Sequence, residues 1–325
     1  MNILLTHANA MRRQYYGERA LAALRALGDV RLHEHDEPLT PDGLIAAARG
    51  IDLIVSDRMT AGPAQVFANL PELKAFLRVA VDIRNIDVDA ASKAGVLVTR
   101  AGPGFMQSVS EMALGYMIDL SRGISRSVIA YRAGEKPEIR MGRQLAGSTA
   151  GIIGFGSIGR CLADLLAKIG MRVLIHDPYA KVADERFAQV DLDTLLAEAH
   201  YVVCLVVANE ATENLMDASI FRRMRPDAVF LNLSRGNLVN DADLVAALKE
   251  GRIAGAAMDV GRATDQMPMP EIAALPNVIA TPHTAGLTPP AIEAQAFDTV
   301  AQVAALAKGE VPPGAVNAEH WSRRI

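Results

Sequence analysis

Cysteine is nearly absent, with only Cys161 and Cys204 in 325 residues, each inside an apolar segment and without CxxC spacing. That leaves no disulfide framework and no zinc site to read, and it suits a reducing cytoplasm. Also missing is any block of basic residues: 33 Lys and Arg stand against 37 Asp and Glu, a formal net charge of −4. Neutralising several phosphates takes a basic patch, so nucleic acid is not an expected partner. No apolar run reaches the roughly 18 to 20 residues of a membrane span, so no membrane partner is expected either. The opening stretch Met1–His7 turns polar after three apolar residues, with Arg12 and Arg13 behind it rather than ahead. It reads as a buried first strand, not a signal peptide. What the chain does have is 50% hydrophobic residues, enough at this length for two domains with separate cores.

Short β-branched runs alternate with helical patterns almost throughout, the sequence form of parallel sheets covered by helices on both faces. Strands are expected at Asn2–Thr6, Val30–His33, Leu53–Ser56, Ala75–Val79 and Leu97–Thr99, with a helix from Glu18 to Leu27 stopped by Gly28. From Gln107 to Arg132, the apolar positions Val109, Met112, Ala113, Tyr116, Met117 and Leu120 recur at steps of three and four, predicting one long amphipathic helix. After a polar stretch from Gly134 to Gly147, a second series follows at Thr149–Ile153, Arg172–His176, Tyr201–Leu205, Ala228–Asn232, Ala254–Met258 and Val278–Ala280. Residues 101–285 therefore form a second α/β unit. A last helix, Ala291–Lys308, is too little for a domain and is expected to pack on the first unit.

The strongest local pattern is Gly154-Phe155-Gly156-Ser157-Ile158-Gly159, which follows an apolar strand and opens a helical run from Cys161 to Ile169. In that setting Gly154 permits a tight turn, Gly156 lets a pyrophosphate approach the backbone, and Gly159 lets helix and strand pack closely. The first helical amides, at Ser157 and Ile158, then face the phosphates. Asp177 ends the next strand, where a carboxylate accepts from ribose hydroxyls and repels a 2′-phosphate, favouring NAD over NADP.

Ligands of open α/β sheets bind beyond the carboxyl ends of the strands. Three of those ends carry Ser234-Arg235-Gly236, Asp259-Val260-Gly261 and Thr281-Pro282-His283. Each residue alone is ordinary at a turn; together they bring an arginine, an acid and a histidine to one edge. With Asn232-Leu233-Ser234-Arg235-Gly236, Gly251 to Val260 and Thr281 to Gly286, the chain resembles the D-isomer-specific 2-hydroxyacid dehydrogenases over nearly its whole length. The resemblance implies a Rossmann NAD-binding domain (101–285) inserted into a flavodoxin-like substrate domain (1–100 with 286–325), both doubly wound parallel sheets, and a homodimer. It implies an NAD-dependent oxidoreductase acting on a small 2-oxo or 2-hydroxy acid. Arg235 would hold the substrate carboxylate, His283 would act as acid and base, Ser234 would sit in the cofactor site, and Asp259 would contact the nicotinamide.

The sequence departs from the family where a glutamate normally stands five residues after the Asp259 position; Thr264 is there instead. Asp265 is expected to supply the carboxylate partner of His283, with Gln266 as a neutral alternative of the formate-dehydrogenase kind. The family's Gly-x-Gly-x-Asp-Asn stretch is here Ala80-Val81-Asp82-Ile83-Arg84-Asn85, and Phe105 and Met106 stand where an apolar substrate wall is one reading and core the other. Alternative functions are an NAD(H)-binding regulatory or scaffold protein, as the C-terminal-binding-protein corepressors share the resemblance, and a formate-dehydrogenase-like oxidation using Gln266.

Overall fold

The computed structural model describes residues 1–324, which divide into two compact units: Met1–Phe105 with the chain from Leu287 onward, and Met106–Gly286. In the first, β1 (Asn2–Leu5), β2 (Asp29–Leu32), β3 (Leu53–Ser56), β4 (Ala75–Arg78) and β5 (Leu97–Arg100) form a parallel sheet in the order β2-β1-β3-β4-β5. Alternate side chains of these strands enter different cores, Ile3, Leu5, Val55 and Leu77 on one side and Leu4, Ile54, Phe76 and Val98 on the other. Burial on both faces explains why the strands read as nearly unbroken apolar runs. The helix Pro289–Ala307 lies in this unit and places Ala296, Val303 and Leu306 in the first of those cores.

The second unit holds β6 (Thr149–Ile153), β7 (Arg172–His176), β8 (Phe187–Gln189), β9 (Tyr201–Cys204), β10 (Val229–Asn232), β11 (Gly255–Met258) and β12 (Val278–Ala280). All are parallel, in the order β12-β11-β10-β9-β6-β7-β8. The strand order reverses between β6 and β9, so the crevice that receives a dinucleotide opens beyond their carboxyl ends. Two elements differ from the sequence reading. The helix expected over Gln107–Arg132 is two helices, Met106–Arg122 and Ile124–Arg132, because Gly123 adopts φ 61° and turns the chain. Strand β8 is unexpected; it is three residues long, too short to show a period. Among the described residues no helix is long and apolar enough to cross a membrane.

The first unit also buries a titratable group. His7 is 1% exposed and lies against the Tyr16 ring, centroids 5.3 Å apart. Burial pushes its pKa down from 6.5 to about 4, with Arg12 and Arg78 acting the same way and Asp57 opposing. The unfolded chain binds this proton below pH 6.5 and the folded chain only near pH 4, so stability falls as pH drops through that window. The expected loss is about 3 kcal/mol by pH 4. Denaturant unfolding of His7→Asn should show a correspondingly shallower pH dependence; parallel curves for the two proteins would refute the assignment.

Candidate active site

The glycine turn after β6 behaves as its spacing requires. Gly154 has φ 99°, and a Cβ there would lie 2.7 Å from the Leu205 carbonyl at the end of β9. Gly159 faces the Gly154 carbonyl too closely for any side chain, which draws the helix Ser157–Lys168 onto β6. Gly156 is the N-cap of that helix; no side chain caps it, and a Cβ there would meet nothing within 4 Å. The first-turn amides of Ser157 and Ile158 therefore begin a helix whose positive end opens on vacant space, a cradle that fits a pyrophosphate.

Asp177, half-buried at the end of β7, binds the same turn. One carboxylate oxygen accepts from Phe155 N at 2.7 Å, the other from Tyr179 N and Ala180 N at 2.8 and 2.9 Å. Burial alone would raise its pKa, but these three amides outweigh it and hold the carboxyl below the usual range. The result is a fixed negative charge beside the glycine turn, with lone pairs remaining for hydroxyl donors.

Neighbouring strands β10, β11 and β12 bring Arg235, Asp259 and His283 to one sheet edge. The arginine's loop is fastened by Asn232, which accepts from Ser234 N at 3.1 Å and donates to the Arg235 carbonyl at 2.9 Å. The Ser234 hydroxyl donates to the Val206 carbonyl at 2.6 Å, tying this loop to the chain beyond β9. Arg235 is half-buried, and its Nη1 donates to the Ser234 carbonyl at 2.7 Å. Gly236 packs on the Gly261 backbone with no room for a Cβ, so the loops after β10 and β11 touch directly.

Asp259 is 2% exposed and grips the loop that carries the histidine. Its Oδ1 accepts from the Thr281 hydroxyl at 2.5 Å and Thr284 N at 2.9 Å, its Oδ2 from Ala285 N at 2.9 Å, and its main-chain carbonyl from His283 N at 2.9 Å. The carboxylate that the resemblance assigns to the nicotinamide thus also ties residues 281–285 together, which supports a part in positioning His283. Tyr116, read in the sequence only as an apolar position on a helix, extends the network through a hydrogen bond between its hydroxyl and that of Thr281. Burial pushes the Tyr116 phenol well up, so it stays protonated. Its one sequence signal is a hydroxyl in an apolar stripe.

The partner of His283 differs from expectation. Nδ1 of the half-buried His283 lies 3.0 Å from the main-chain carbonyl of Asp265, whose side chain is exposed, so Asp265 meets the ring through its backbone and not its carboxylate. The reason is conformational. Asp265 and Gln266 have φ of 58° and 59°, a left-handed turn that points the carbonyl at the ring. Gln266 Oε1 is buried without a hydrogen-bond partner, so that amide oxygen does not bond the imidazole.

In the first unit, the Ala80–Asn85 segment settles the direction of Arg84. Asp82 accepts from Arg84 N at 3.0 Å and pairs with its guanidinium at 2.9 and 2.6 Å, so the acid starts the turn and offsets the cation. Buried Arg78 donates to the Asn85 side chain at 2.7 Å and the Thr60 carbonyl at 2.8 Å, fixing the segment from below. Phe105 and Met106 are half-buried.

Comparisons with known proteins give the family. A family profile described as "D-isomer specific 2-hydroxyacid dehydrogenase, NAD binding domain" matches residues 114–285. A glyoxylate reductase of Thermococcus onnurineus is 31% identical over 315 residues, 93% of each chain. An (S)-sulfolactate dehydrogenase of Chromohalobacter salexigens is 32% identical over 80% of this chain and 86% of its own. Among solved structures, D-lactate dehydrogenase with NAD+ from Lactobacillus jensenii superposes with a TM-score of 0.85 at 25% identity, covering 97% of this chain and 99% of that one. With two parallel-sheet α/β domains, one of them a Rossmann domain that binds NAD, the chain belongs to the D-isomer-specific 2-hydroxyacid dehydrogenases, NAD-dependent oxidoreductases of 2-hydroxy acids.

Proposed function

We propose that the protein reduces a small 2-oxo acid to the D-2-hydroxy acid, with Arg235 binding the carboxylate and keto oxygen and His283 supplying the proton. The observation that supports this most is the placement of Arg235, Asp259 and His283 at the carboxyl ends of adjacent strands β10, β11 and β12. Gly154, Gly156, Ser157, Ile158 and Asp177 would hold NADH, which would supply the hydride. A guanidinium stays charged at any working pH and offers planar donors to a carboxylate and a neighbouring oxygen together. Charge that develops on the keto oxygen is stabilised by Arg235 and quenched by a proton from His283 Nε2, and the reverse oxidation uses neutral His283 as base. Asp259 and Ser234 hold the two loops in register. Residues 1–100 with 286–325 are the substrate domain in this reading.

Turnover of NADH with a panel of glyoxylate, hydroxypyruvate, pyruvate and sulfopyruvate tests the proposal. At least one should be reduced, and Arg235→Ala should lower its kcat/KM by about a hundredfold or more, the cost of losing a charged partner for a desolvated carboxylate. NADH binding with no turnover of any 2-oxo acid would refute it. Asp177→Ser should shrink the preference for NADH over NADPH by about tenfold, since removing the carboxylate relieves roughly 1.4 kcal/mol or more of repulsion toward a 2′-phosphate.

We further read the protein as a cytoplasmic homodimer. Two unpaired thiols suit a reducing compartment. Ile129, Tyr131, Ile139 and Met141 are 67%, 72%, 94% and 101% exposed along one stretch of the second unit, apolar surface that a second copy would cover. Light scattering should give twice the chain mass.

A further inference from the structure

Four described non-glycine residues adopt positive φ, and all belong to one network. Asp265, Gln266 and His283 have φ of 58°, 59° and 54°, and Asn214, at 55°, accepts from the Arg262 guanidinium at 2.7 Å on the same loop. Left-handed backbone is unfavourable for residues with a Cβ and persists where the surroundings impose it, often at working sites. Here the surroundings are explicit. Gly261 N donates to the Gln266 carbonyl at 2.8 Å and Ala263 N to the Met267 carbonyl at 3.0 Å. Arg262 also donates to the Asn237 and Val239 carbonyls at 3.0 and 3.1 Å and pairs with Glu213 at 2.8 Å.

We propose that this clamped turn exists to present the Asp265 main-chain carbonyl to His283, making a neutral backbone group the positioning partner of the proton-donating histidine. The proposal rests on the reading of His283 as acid and base. A carbonyl oxygen carries no proton, so the 3.0 Å contact is a hydrogen bond only if Nδ1 is the donor. That fixes the neutral tautomer, leaves Nε2 to exchange the proton with substrate, and does so at every pH. A carbonyl offers the ring a dipole but no net charge, so the contact orients the imidazole without an ion pair. The other ionisable groups packed on its loop are committed elsewhere: Asp259 to Thr281, Thr284 and Ala285, Arg262 to Glu213, and the Tyr116 hydroxyl to Thr281.

Long-range 1H–15N spectra of the histidine-labelled protein with bound NADH test this, the His283 signal being the one lost in His283→Asn. The parent should show the Nδ1–H tautomer. Asp265→Asn keeps the carbonyl and should retain the Nδ1–H tautomer. Asp265→Pro, whose ring locks φ near about −65°, should lose the tautomer preference while still binding NADH. An Nε2–H tautomer in the parent, loss of the Nδ1–H tautomer in Asp265→Asn, or an unchanged signal in Asp265→Pro would overturn the proposal. The underlying reading fails separately: parent-like turnover by His283→Ala would remove the histidine's role while leaving the tautomer result in place.

Discussion

His283→Ala is expected to lower kcat for 2-oxo acid reduction by about two to four orders of magnitude, the usual contribution of a positioned general acid. Reduction adds two electrons to the carbonyl carbon and leaves charge on an oxygen that must be protonated as it forms. Without the imidazole, water must supply that proton, and Arg235 alone stabilises the charge. The glycine turn and Asp177 are formed by other loops, so the dissociation constant of NADH should stay within a few fold of the parent. Reduction by the parent should fall as pH rises, and oxidation of the alcohol should rise, because one direction consumes a proton and the other releases one. A variant with near-parent kcat and an unchanged pH profile would place the proton donor elsewhere.

Asp259→Ala is expected to cost both activity and stability. Its buried carboxylate accepts three hydrogen bonds from residues 281–285; its removal strands two backbone amides and leaves the Thr281 hydroxyl only its Tyr116 partner. At about 1 to 3 kcal/mol for each buried donor left unpaired, the folded state should lose about 3 kcal/mol or more. Freed from its grip, the loop no longer holds His283 in one place, and kcat should fall by about a hundred- to a thousandfold, as expected when a catalytic group is misplaced by an ångström. Asp259→Asn, which keeps one acceptor oxygen, should fall between the two proteins. Calorimetry and steady-state kinetics on the pair provide the check; an Asp259→Ala protein that melts and turns over like the parent would show that the loop stands without this anchor.

The parts of this site that were legible in the sequence are those in which a residue type is itself the constraint. Gly154 must adopt φ 99° and Gly159 must face a carbonyl at contact, so glycine at those positions announces the turn. Strands β3, β7 and β12 carry their ends in apolar runs that stop at polar residues, β6 ends at the glycine turn, and the residues after β10, β11 and β12 follow from where those strands end. What stayed hidden depends on backbone direction. Thr264-Asp265-Gln266 contains no glycine, and an aspartate tolerates a left-handed turn without requiring one, so the sequence offers a side-chain carboxylate where the fold uses a carbonyl. Gly123 sits in an apolar pattern that continues at three- and four-residue steps on both sides, and periodicity alone does not distinguish one helix from two. Tyr116 was legible as buried; its hydroxyl's partner lies 165 residues away, at Thr281.

The most direct test of the account is to follow the reducing hydrogen itself. With NADH deuterated on the transferred C4 position and the best 2-oxo acid of the panel, the product should be the D-2-hydroxy acid carrying a single deuterium at C2, by mass spectrometry and chiral chromatography, and Arg235→Ala should suppress its formation. Product without deuterium, product of the L configuration, or product formed equally well without Arg235 would contradict it.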